Sequence, residues 1–88
     1  MPPFKLAKVI RVEFYKRDQL TTDLIHCNII TPDGVISAHE DQPYWEELIR
    51  KLEFLGGFDV EWYPQISGPA LAVSDYVAFQ RPGQSFAA

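Results

Sequence analysis

Residues 21–34, TTDLIHCNIITPDG, carry the most reactive side chains of this 88-residue chain: His26 stands beside Cys27, the single cysteine, with Asp23 and Asp33 on either side. A thiolate activated by an imidazole is a nucleophile for acyl transfer, and that chemistry needs the two groups within hydrogen-bond reach. The stretch is rich in β-branched residues and reads as a strand, in which successive side chains point to opposite faces. Cys27 then shares a face with Ile25 and Ile29, while His26 shares the other with Leu24, Asn28 and Ile30. The two are not a dyad. Cys27 reads as a small buried hydrophobe with an inert thiol.

Other reactive groups are weaker still. His39, Glu40 and Asp41 offer oxygen and nitrogen donors for zinc, but the chain has only two histidines and neither an HxH nor an HExxH spacing. Asp41 also reads as a helix N-cap, so no metal or cofactor is expected. LGGF follows a helical pattern instead of joining strand to helix, which is helix termination and not a phosphate loop. There is no G-x-S-x-G elbow, and the serine of PQISGPA sits in turn chemistry. No catalytic residue is assigned.

His26 has neighbours to consider. In KLAKVIRVEFYKR, Ile10, Val12 and Phe14 alternate with Arg11, Glu13 and Tyr15, so a first strand presents Val9, Arg11, Glu13 and Tyr15 on the face that also holds His26 and Asn28. A turn centred on Gln19 and Leu20 sets Glu13 opposite His26 and Arg11 opposite Asn28; a two-residue slip would change these partners and keep the face. A carboxylate beside an imidazole orients it and favours its charged form, which suits a general base as well as a surface or interface pair. Arg11, Glu13, Tyr15, His26 and Asn28 are therefore the ligand or interface candidates. Trp62 and Tyr63, in FDVEWYP, join them as residues that close a core or line a pocket.

The elements that position these groups are legible in order. RDQLTTD reverses the chain after the first strand. TPDG turns it again after the second, with Pro32 setting the dihedral and Gly34 free to take a positive φ. VISAHE is a short third strand. In EDQPYWEELIRKLEFLGGF, apolar residues at Trp45, Leu48, Ile49, Leu52 and Leu55 form a helical stripe. Asp41 is its expected cap and Pro43 a first-turn residue; Glu46–Arg50 and Glu47–Lys51 are expected i,i+4 pairs, and Gly56 or Gly57 ends the helix with Phe58 folding back. Residues 59–72 carry no secure pattern: one turn capped by Asp59 is the reading, cut short by Pro64. DYVAFQR reads as a last strand that could join either edge, and the tail from residue 82 as loose.

The whole is one small α+β domain over residues 1–88: an antiparallel β-meander of three to four strands with one amphipathic α-helix packed on one face. A hydrophobic content of 47% separates it from disordered chains, yet its size allows only a thin core. A net charge of -4 argues against nucleic acid as the main partner. Charge is segregated, with Lys5, Lys8, Arg11, Lys16 and Arg17 near the start and no Lys or Arg between residues 23 and 47. No run approaches the ~20 apolar residues of a membrane span, no signal-peptide run opens the chain, and a lone cysteine fits a cytoplasmic protein. These features point to a non-catalytic homodimeric interaction or regulatory module. The alternative is a small-molecule-binding protein or weak enzyme whose pocket lies at the outer sheet face or subunit interface.

Overall fold

A computed structural model describes residues 3–18, 23–67 and 74–83. Four strands form one antiparallel sheet in the order β3-β2-β1-β4: β1 is Arg11–Asp18, β2 Asp23–Thr31, β3 Gly34–His39 and β4 Ser74–Gln80. Two helices, α1 (Trp45–Leu52) and α2 (Trp62–Ile66), separate β3 from β4. The fold is α+β with an open sheet, and the last strand joins the β1 edge. Among the described residues, no helix is long and apolar enough to cross a membrane.

Period-two alternation puts Val12 and Phe14 of β1 and Ile25, Cys27 and Ile29 of β2 on the core face, where they meet Leu48 and Leu52 of α1 and Trp62 and Ile66 of α2. Phe14 is the hub. Its ring stacks on Trp62 with centroids 3.9 Å apart and meets Trp45 and Phe58 edge-on. Packing of this kind decides the order of a thin core, because each aromatic pair adds to simple area burial.

Several expectations are corrected. The first strand does not run back through KLAKV: Leu6–Lys8 is a single 3-10 turn, and Val9 is buried in the core instead of lying on the outer face. Arg81, just past the end of the neighbouring strand β4, holds that turn, donating from Nε to the Val9 carbonyl and from Nη2 to that of Leu6. The helix begins at Trp45, with Tyr44 at the N-cap position and no capping side chain. Asp41 is not the cap, because Gln42 closes the entry loop: its Oε1 accepts the His39 amide at 2.8 Å and its carbonyl accepts that of Trp45. Lys51 turns from Glu47 to the Phe4 carbonyl and lies 4.1 Å from the centre of the Phe4 ring. Gly57, with φ of 88°, takes the left-handed conformation, and Phe58 returns to the core.

Pro64 does not cut the second helix short. It occupies the third position of a five-residue helix, inside the first turn, where no N–H is required. Asp59 does act at this entry, accepting the Glu61 amide at 2.8 Å while its own amide bonds to the Ala78 carbonyl of β4. The TPDG turn forms as read: Thr31 pairs with Gly34, whose φ is 139°, and Thr31 Oγ1 accepts the Asp33 amide. Of the expected loose tail, residues 84–88 lie outside the described residues, as do residues 19–22 of the RDQLTTD turn.

Candidate functional site

The strands place the sequence candidates on the face turned away from the helices. Cys27 is fully buried among Phe14, Ala38 and its core neighbours, while His26 projects to the opposite side. Burial, reinforced by the negative charge of Glu13, pushes the Cys27 thiol far above its ordinary range. The thiol is therefore not a nucleophile, and the strand geometry separates it from the imidazole.

Arg11, Glu13, Tyr15, His26 and Asn28 do share the outer face, but with partners two residues away from those expected. The ladder pairs Asp18 with Asp23, so four residues connect the strands in place of two, and every pair sums to 41. Tyr15, not Glu13, lies opposite His26; Glu13 lies opposite Asn28, and Arg11 opposite Ile30. The Tyr15 and His26 rings stack with centroids 4.9 Å apart and an interplanar angle of 11°. His39 follows on β3, opposite His26 and 5.8 Å from it between ring centroids. This row of rings crosses three strands.

A second row is polar and crosses all four. Arg11 donates from Nη1 to Gln80 on β4 and from Nε to Glu13 Oε2 at 3.0 Å; the other Glu13 oxygen accepts from Asn28 Nδ2, and Asn28 Oδ1 accepts the Ser37 hydroxyl of β3 at 2.9 Å. The Glu13 carboxylate thus spends both oxygens within the sheet and does not face His26. A hollow of about 300 Å³ over β1 and β4 touches Arg11, Glu13, Tyr15, Asp75 and Val77, and His26 does not line it. Among the described residues, no three His, Cys, Asp or Glu side chains gather as metal ligands. Glu40 is instead engaged with the Ile25 amide, and the His39 Nδ1 is buried without a hydrogen-bond partner among the described residues.

Trp62 and Tyr63 lie on the other side of the sheet, apart from these rows. Trp62 is core, as its stack on Phe14 shows. Tyr63 is exposed and borders a groove of about 460 Å³ between α1 and α2, whose lining also includes Trp45, Glu40, Glu46 and Glu53. Sequence reading missed this groove because its two walls belong to separate helices, one of them too short for a periodic signal. No family model, curated protein or solved structure matches the chain.

Proposed function

We propose that this chain is a non-catalytic interaction module that pairs with a second copy of itself through the outer face of the sheet. The observation that carries this reading is the polar row Gln80–Arg11–Glu13–Asn28–Ser37, whose members bond to one another within the face. Burying a polar group is costly when it loses water without a replacement partner. A face whose polar groups are already paired escapes most of that cost, and the half-buried Tyr15 and Leu24 and the exposed Val77 supply apolar surface between them. A catalytic face needs the reverse: open hydrogen-bonding groups converging on a cavity. The small-molecule or weak-enzyme alternative has less support, since the Glu13 oxygens are taken and His26 stands outside the hollow. One buried thiol without a disulfide partner favours the cytoplasm as its compartment.

Sedimentation across a dilution series tests the pairing. The expected result is twice the 10.1 kDa chain mass at high concentration, and dissociation when Tyr15→Arg places like charges on the two faces. A chain still monomeric at about 1 mM, where a contact worth only ~4 kcal/mol would register, overturns the reading.

A further inference from the structure

We propose that the groove between α1 and α2 is a binding site for a small alkylated ammonium compound, independently of the pairing surface on the opposite face. Its aromatic boundary consists of Trp45, Trp62 and Tyr63. The Trp45 ring stands at 78° to that of Trp62 with centroids 6.2 Å apart, and the Tyr63 ring at 80° with centroids 5.7 Å apart. The buried Trp62 ring braces the half-buried Trp45 and the exposed Tyr63 by these edge-to-face contacts, and the π-systems of those two rings attract a cation at the groove. The core contact of Trp62 with Phe14 fixes this arrangement, so the walls are organised before a ligand arrives.

Charge selects the ligand's sign. Glu40, Glu46 and Glu53 border the groove against one cation, Arg50, which is exposed. Glu40 is held in place at the groove wall by the Ile25 amide, which donates to its Oε1 at 3.0 Å. Size and hydration select the class. A volume of about 460 Å³ suits a small molecule. An alkylated ammonium sheds its water more readily than a primary ammonium does, and aromatic walls with apolar Ile49 can replace only that weaker hydration.

Trp45 and Trp62 are the chain's two tryptophans, so intrinsic fluorescence reads the groove directly. Choline chloride would be titrated at constant ionic strength, beside its uncharged carbon isostere dimethylbutanol, with backbone amide NMR shifts as a second readout. We expect saturable binding of choline in the millimolar range, with the neutral isostere at least ~10-fold weaker. Tyr63→Ala, and separately Glu46→Gln with Glu53→Gln, should each weaken choline ~5-fold; all three side chains are exposed, so folding is retained. Equal binding of choline and the isostere overturns the proposal, as does binding indifferent to these substitutions. No saturable response by either readout at ~100 mM choline overturns it too.

Discussion

Tyr76 donates its hydroxyl hydrogen to Asp59, tying the entry of α2 to β4, and both groups titrate away from their ordinary values as a result. The Tyr76 hydrogen bond, helped by the Glu61 amide, holds Asp59 below its usual range; the same bond, with burial and the carboxylate's charge adding to it, raises Tyr76. A lowered acid contributes stability above its unfolded pKa and loses it as pH falls through the folded one. A raised phenol contributes below its unfolded pKa and loses it as pH rises through the folded one. The difference in unfolding free energy between wild type and Tyr76→Phe should therefore be flat between about pH 4 and about pH 10, and shrink outside both limits. Urea unfolding at a series of pH values measures it, and a difference that persists unchanged to about pH 2 refutes the assignment. Cys27 permits a second test. A thiol reagent at about pH 8 should leave the native chain unlabelled and label it promptly in denaturant. Rapid native labelling would contradict the burial. This residue was legible from alternation alone, whereas the Asp59–Tyr76 bond joins positions that only the folded chain brings together.

Elements differ in how much of their stability is local. The α1 stripe could be read from spacing because Leu48 and Leu52 lie on one helical face, and both are buried. Truncating Leu52→Ala should cost ~3 kcal/mol, the scale of a core leucine lost to a cavity. Phe54→Ser, one residue beyond Glu53, should stay within ~0.5 kcal/mol, since that ring is 81% exposed. Gly57→Ala should cost about 1 kcal/mol: the space for a Cβ is open, but the positive φ is unfavourable for alanine. Chemical denaturation of the three variants gives the ranking, and a Phe54 effect equal to that of Leu52 would place the helix face wrongly. By contrast only a single turn could be read where α2 lies, for a five-residue helix has almost no stability of its own. The stacking of Trp62 on Phe14, contributed by a distant strand, stabilises it. The strand faces were legible and the partners were not, for a related reason. A two-residue slip preserves the apolar pattern, so only the connection length distinguishes the sums 39 and 41.

At the scale of the molecule, the area of the outer face limits how tightly two copies can hold. Four strands spaced by ~4.8 Å and about seven residues long at ~3.3 Å each give a footprint of roughly 400 Å² per copy. That is about half the ~800 Å² per partner of an ordinary specific interface. With aromatic anchors at Tyr15 and His26 but little apolar area beside them, the pair should dissociate on dilution in the micromolar to millimolar range. The sheet also has two open edges, β3 and β4, and pairing along either would bury less side-chain area while adding main-chain hydrogen bonds. The β4 edge suits this poorly, because its register with β1 shifts between Val12 and Glu13 and bends the ladder there. The β3 edge is only six residues long. Face pairing and edge pairing respond to different substitutions. Tyr15→Arg acts on the face alone, whereas Val35→Pro removes a main-chain donor from the β3 edge and leaves the polar row of the face in place. If the face holds the two copies together, sedimentation should show monomers for Tyr15→Arg and dimers for Val35→Pro. The opposite pattern would move the contact to the β3 edge, and dimers surviving both changes would place it outside the sheet.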